Sequence, residues 1–191
     1  MPINIKSNPN IRNFIDSFRK TELARQSRFQ VDFNIPKGVT DILNRNTNSP
    51  YFLGYGDLSL RCENAQLPSR TLMTTEQKIY GITEKYPYQN AYNDAEFTFY
   101  VSDNMKEKVV FDRWLSLVSP KDTYNMNYKT DYETEIAVHQ YALDGSISYT
   151  AYLRRAFPIA VNQLDLDWSS DSIHKLNVVF AYSDWIEENT F

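Results

Sequence analysis

Apolar and polar residues alternate strictly over Arg28–Ile35, which puts Phe29, Val31, Phe33 and Ile35 on one face. A period of two is that of a half-buried strand. Strand character returns at 58–65, closed by Leu67 and Pro68, and again at 71–80. It recurs at 95–101, where Phe97, Phe99 and Val101 share a face. Residues 134–141 and 146–153 are two further predicted strands, joined around Leu143-Asp144-Gly145-Ser146, a good hairpin turn sequence. The runs 157–168 and 173–182 are the last two predicted strands. In the first, Leu164, Leu166 and Trp168 point one way while Asp165 and Asp167 point to solvent.

Two segments follow a helical period instead. Ile11, Phe14, Ile15 and Phe18 are spaced i, i+3, i+4, i+7, with Asn10 placed as an N-cap. They predict a short amphipathic helix after ten polar residues. Asn104 to Val118 is the clearest helix, with Met105, Val109, Val110, Trp114, Leu117 and Val118 as its stripe and Pro120 as its stop. Residues 39–57 show no strand period and hold the cluster Tyr51-Phe52-Leu53-Gly54-Tyr55, which reads as a long loop. Residues 82–93, with Tyr86, Pro87, Tyr88 and Tyr92, read as an extended hairpin arm or loop.

About eight strands, one internal helix and one N-terminal helix predict a mostly-β fold: an antiparallel β-barrel or sandwich with one packed α-helix and a short N-terminal helix. The domain spans 28–191, with loop insertions at 36–57 and 81–93, and follows an arm and short helix at 1–27. Its expected core is Phe29, Val31, Phe33, Phe97, Phe99, Trp114, Leu164, Leu166, Trp168, Val178 and Phe180.

Composition adds one feature. Aromatics reach 15% of 191 residues, with 14 Tyr and 11 Phe. Tyrosine suits both half-buried strands and protein–protein contacts. A formal net charge of −4 and the lack of a basic run argue against sequence-independent gripping of nucleic acid. The single cysteine, Cys62, can form no internal disulfide and reads as a small buried hydrophobe. No apolar run has membrane-spanning length. The first ten residues lack a signal-peptide pattern, so synthesis in the cytosol is expected.

The chemistry of an enzyme is not visible. The two histidines, His139 and His174, accompany no nucleophile-elbow pattern, and there is no metal-ligand pair of histidines or cysteines. Asp165, Asp167 and Asp171 imitate part of a calcium loop, but strand alternation accounts better for the first two. Gly54 and Gly56 lack the context of a phosphate-cradling loop. The expectation is a non-enzymatic protein with no cofactor and no metal.

Four stretches, taken in order, carry a likeness. They are a short helix leading into Arg28–Phe33; Leu60–Arg70 followed by Lys78–Gly81; Tyr92–Phe99 and then a helix holding Phe111-Asp112-Arg113-Trp114; and Phe157-Pro158, Leu164–Trp168 and a closing strand ending in Phe180–Trp185. In this series the chain resembles the tail tube proteins of contractile-tailed, T-even-like bacteriophages. The resemblance implies a structural virion protein that forms hexameric rings, stacked into a hollow tube inside a contractile sheath. Implied partners are other copies of the chain, the sheath protein, the tape measure protein and the baseplate tube-initiators. Viral double-stranded DNA would pass through the lumen without specific binding, and no membrane is involved. Assembly would take place in the host cytoplasm and the product would reside in the virion. A baseplate tube-initiator and a type VI secretion-like tube protein are the near alternatives; a carbohydrate- or ligand-binding β-barrel is a more distant one. Candidate inter-subunit contacts are Ile11, Phe14, Phe18, Tyr51, Phe52, Tyr55, Tyr80, Tyr86 and Tyr88. Asp165 and Asp167 are candidates to face solvent or the lumen.

Overall fold

The computed structural model describes residues 23–44, 55–78, 80–169 and 171–189. Among them are nine strands: β1 (Phe29–Phe33), β2 (Cys62–Ala65), β3 (Arg70–Gln77), β4 (Glu84–Tyr92), β5 (Ala95–Tyr100), β6 (Thr134–Tyr141), β7 (Ile147–Val161), β8 (Lys175–Ala181) and β9 (Asp184–Asn189). Four helices accompany them: α1 (Lys37–Asn44), α2 (Tyr55–Leu60), α3 (Lys106–Val118) and α4 (Lys129–Tyr132). Residues 10–22 of the helix predicted over 10–24, and the cluster at Tyr51 and Phe52, lie outside the described residues; residues 23 and 24 are not helical.

All strand pairs are antiparallel. The hydrogen-bonded path runs β1-β6-β7-β8-β5-β2, with β9 also paired to β7. Its two ends, β1 and β2, are not hydrogen-bonded to each other, so of the expected barrel or sandwich the sheet is not closed into a barrel and is sandwich-like. Strand β7 explains why. Its first part pairs with β6 and β9; its last part, Phe157–Val161, pairs with β8. Between these parts the β6 register shifts, and Arg155 takes a φ of 55°. An extra residue in a left-handed conformation bends a strand and raises its twist. Thus β7 belongs to both layers, where two separate strands were expected from the sequence.

One layer is β1-β6-β7-β9 and the other is β2-β5-β8 with the end of β7. Their inner faces supply Val31, Phe33, Ile136, Val138 and Leu153 on one side and Phe97, Phe99, Leu176, Val178 and Phe180 on the other, all buried. Helix α3 drives Phe111 and Trp114 into the same cluster. Phe33 meets Phe97 edge-on at 5.4 Å, and Trp114 meets Phe180 at 5.7 Å. Such offset and edge contacts add about 0.5–1.5 kcal/mol per pair beyond area burial. Phe29 and Leu164 are only partly buried against this cluster.

Leu166 and Trp168, expected in the core, are exposed. Strand β7 ends at Val161, and residues 162–167 form no ladder, so no pleat directs those side chains inward. The strand expected over 58–65 begins only at Cys62, because 55–60 is helical. The long loop expected over 39–57 likewise starts as α1, whose Val39 is fully buried. Strand β9 has no counterpart in the sequence reading.

The start of α3 is held by a buried carboxylate. Glu107 is fully buried and accepts hydrogen bonds from Ser102 N at 2.8 Å and Ser102 Oγ at 2.7 Å. Its other oxygen faces Arg61 Nε at 3.1 Å, a charge contact without hydrogen-bond alignment. Glu107 thereby ties the β5–α3 turn to the chain just before β2. Arg61 is partly exposed, so its charge keeps solvent when unpaired. We expect Glu107→Gln to lower stability by about 1–3 kcal/mol, read by chemical denaturation, with the fold intact.

Candidate assembly surfaces

The β3–β4 hairpin projects from the body along almost its whole length. Every residue of β3 is exposed, and β4 becomes half-buried only at Ala91 and Tyr92, where it rejoins the sandwich. Inside the arm, Glu76 pairs with Lys85 at 3.6 Å, and Tyr88 OH donates to Met73 Sδ at 3.6 Å. These contacts hold the two strands to each other, not to the domain. Leu72, Met73, Tyr86 and Tyr88 all reach solvent, as do Tyr80 and Ile82 near the tip. A two-stranded ribbon is marginally stable in water alone. Pro87 sits at a register shift in β4, which spoils that strand as a template for further pairing.

Open edges are the second feature. Strands β1 and β9 each pair on one side only, at opposite ends of a four-stranded layer. The outward face of this layer is polar and internally bonded across all four strands. Tyr141 OH donates to Gln30 Oε1 at 2.9 Å and Gln30 Nε2 donates to Asp32 at 2.8 Å. His139 lies 2.9 Å from Thr150 Oγ1 through Nδ1 and 3.4 Å from Asp32 through Nε2. Tyr152 OH donates to Glu188 at 3.0 Å, and Arg154 holds Asp184 through Nε at 3.0 Å and a second contact through Nη2. Glu188 beside it raises the Tyr152 phenol above its usual range. The Asp32–His139–Thr150 row has the residue types of a hydrolytic triad. Thr150 is only 4% exposed, so its hydroxyl is closed to a substrate.

Between the ends β1 and β2 lies an open cleft of about 830 Å³, lined by Phe29, Leu67, Val138, Gln140, Glu63 and Lys175 among others. Lys175 reaches Glu63 at 2.5 Å across its rim. That ammonium, with the Tyr100 hydroxyl, holds the Glu63 carboxyl below the usual carboxylate range. Cys62, beside this cleft, has its thiol pushed up by burial to about 12. The folded state therefore keeps Cys62 protonated where the unfolded chain, at 9.0, would ionise. The sign follows: this contribution to stability is complete below pH 9.0 and is lost as pH rises toward 12. We expect the thiol to resist alkylation at pH 8 in buffer and to react at once in urea, as a thiol-colour assay would show.

The sequence-predicted contact residues fall into three groups. Tyr80, Tyr86 and Tyr88 are brought together on the arm. Tyr55 is the first residue of α2. Ile11, Phe14, Phe18, Tyr51 and Phe52 lie outside the described residues. Asp165 and Asp167 are exposed but in a connection, not on a strand, so alternation does not account for them. No group of three or more metal-ligating side chains that could hold an ion occurs among the described residues. Sequence reasoning missed Tyr124, Met126 and Tyr128, exposed on the α3–α4 connection. Tyr124 N donates to Pro120 O and Asn127 N to Val118 O there, and Tyr124 takes a φ of 54°. The signal was available: three large apolar residues alternate with polar ones in a segment bounded by Pro120.

The fold defines a class: antiparallel β-sandwiches with unpaired edge strands and a projecting two-stranded arm. A sequence model described as phage tail tube protein matches residues 24–188. The chain belongs to the phage tail tube protein family. Among curated proteins none matches its sequence. Solved structures share the fold at low identity. The anti-feeding prophage tube-terminating cap aligns at a TM-score of 0.62 and 14% identity, over 100% of each chain. The sheath/tube terminator of an extracellular contractile injection system, in its extended state, aligns at 0.61 and 15%, over 88% of this chain and 98% of the other. The anti-feeding prophage baseplate contains a chain that aligns at 0.59 and 17%, over 88% and 97%.

Proposed function

We propose that copies of this chain form six-membered rings that stack into the inner tube of a contractile tail, the conduit for ejection of viral DNA. The single observation that carries this is the β3–β4 arm, which is exposed along its length except at Ala91 and Tyr92 and gains support from another copy. The open edges of β1 and β9 support the ring: pairing β9 of one copy with β1 of the next would complete the ladders at both ends of that layer. In such a ring the polar outer face of that layer would turn to the lumen.

That face offers the acids Asp32, Glu135, Asp184 and Glu188 against one arginine, Arg154. A lumen of the same sign as phosphate lets a polyanion slide rather than stick. The sheath protein would cover the outside, the tape measure protein would occupy the lumen before DNA, and baseplate tube-initiators would template the first ring. Assembly would run in the host cytoplasm, and the finished particle would hold the protein as a structural subunit without catalysis. Negative-stain microscopy of the purified chain tests the proposal. Rings or tubes with sixfold averages are expected, and many copies per particle mark a tube rather than an initiator. A stable lone monomer at high concentration, under every assembly condition tried, would sink it.

A further inference from the structure

The connection between β7 and β8 leaves the core and presents large apolar side chains to water. Leu164 packs against the core cluster. Beyond it Leu166 is 83% exposed, Ile173 is 70% exposed and Trp168 is fully exposed. This is no loose excursion. Asn162 N donates to Asn177 O at 2.9 Å and Val101 N donates to His174 O at 3.1 Å, which fixes both ends. Ser169 N and Oγ donate to Asp167 Oδ1 at 2.9 and 2.8 Å, closing a turn at Trp168. Leu164, Leu166, Trp168, Ile173, Asp165 and Asp167 line an open concavity of about 800 Å³.

Burying a tryptophan at an interface contributes more than almost any other residue, and a monomer gains nothing from exposing one. The charges narrow the partner. Residues 162–173 hold Asp165, Asp167 and Asp171 and no lysine or arginine. Among the described residues neither Asp165 nor Asp167 pairs with a cation, and Lys175 at the rim is taken by Glu63. The matching surface is therefore apolar on one side and basic beside it.

One segment of the chain has that chemistry. Residues 11–20 carry the stripe Ile11, Phe14, Ile15 and Phe18, with Arg12, Arg19 and Lys20 against the single acid Asp16. Trp168 is bare in the isolated chain. A second copy of the chain, supplied by self-assembly, carries the same segment. Resting on the self-assembly proposed above, we infer that the concavity at Leu166, Trp168 and Ile173 receives residues 11–20 of a neighbouring copy. The contact is heterologous: donor and acceptor are different surfaces, so each copy gives one segment and receives one, and the pattern propagates through a ring or a stack.

Cross-linking in full-length protein tests this. One preparation carries Phe18→Cys and another Ser169→Cys, with half-buried Cys62 left in place. They are mixed, allowed to assemble and oxidised mildly. A disulfide-linked dimer between the two preparations is expected, and none when Tyr88→Cys on the arm replaces Ser169→Cys. A second measurement does not depend on cysteine geometry. Asp165→Lys with Asp167→Lys should raise the concentration needed for assembly by about tenfold and strengthen its salt response, since rim charges act chiefly on encounter and register. Adding Arg12→Glu, Arg19→Glu and Lys20→Glu to the same chain should restore it. Tubes that form normally without the cross-link, and without loss or rescue by charge reversal, overturn this contact and leave the tube proposal standing. If a chain carrying both cysteines cross-links only within itself, that overturns it too. Wild-type protein that forms neither ring nor tube removes the neighbouring copy, and both proposals fall together.

Discussion

Excision of the arm should abolish tube formation while leaving the body folded. Joining Thr71 to Ala91 through Asn-Gly removes Leu72–Asn90, and the paired ends of the strands, Arg70 opposite Tyr92 and Thr71 opposite Ala91, are already set for a tight turn. The excised residues bury nothing in the core cluster, so the melting temperature should move by only a few degrees, or roughly 1 kcal/mol. Light scattering and microscopy should show monomers or isolated rings at concentrations where the intact chain forms tubes. The two readouts separate the possibilities. A body that melts early means the arm supports the domain after all. Tubes of normal length without the arm would remove it from the stacking contact.

Trp114→Ala is expected to have the largest effect on stability. The indole is fully buried, stacks edge-on against Phe180 at 5.7 Å, and donates from Nε1 to Tyr132 O at 2.9 Å. Truncation removes the ring, leaves a cavity between α3 and the sheet, and strands the Tyr132 carbonyl. Large-to-small changes of this kind cost about 3–5 kcal/mol against a total of about 5–15. For a domain of this size that is a fall of roughly 10 °C or more in melting temperature. Trp114→Phe keeps most of the volume and loses the hydrogen bond, so it should cost about 1–2 kcal/mol. If the alanine variant melts with the wild type, the core lies elsewhere.

Much of the fold could be read from the period of the sequence, and the failures have physical reasons. Phe29–Phe33 and Ala95–Tyr100 alternate because one face meets a core and the other meets water. That is the case in which a period of two is diagnostic. Leu164, Leu166 and Trp168 alternate just as cleanly with two aspartates, yet they form no strand. A period reports which side chains differ from their neighbours, not whether a partner strand exists. Strand β8 pairs with β7 only as far as Val161. The bend at Arg155 was invisible for a related reason: a bulge preserves strand character on both sides while redirecting the chain. Helix α1 was missed although Val39, Ile42 and Leu43 have helical spacing, because eight residues containing Gly38, Thr40 and Asn44 carry little propensity. The arm was legible as a hairpin. Its isolation from the body was not, because exposure of tyrosines depends on what the rest of the chain declines to cover.

The pairing of β1 with β6 bears on how the protein is made. Phe29 sits opposite Gln140, so the first strand of the sandwich waits for one synthesised more than a hundred residues later. Closing so long a loop is slow, placing body formation in the range of about milliseconds to seconds. The β3–β4 ribbon needs no such wait, because its strands are neighbours in sequence and pair within about 1–10 μs. The exposed arm is therefore paired before the sandwich that carries it. During that interval a nascent chain offers tyrosines and leucine to any passing sister molecule. High expression at raised temperature should accordingly yield aggregates, and slowing translation should yield assembly-competent subunits.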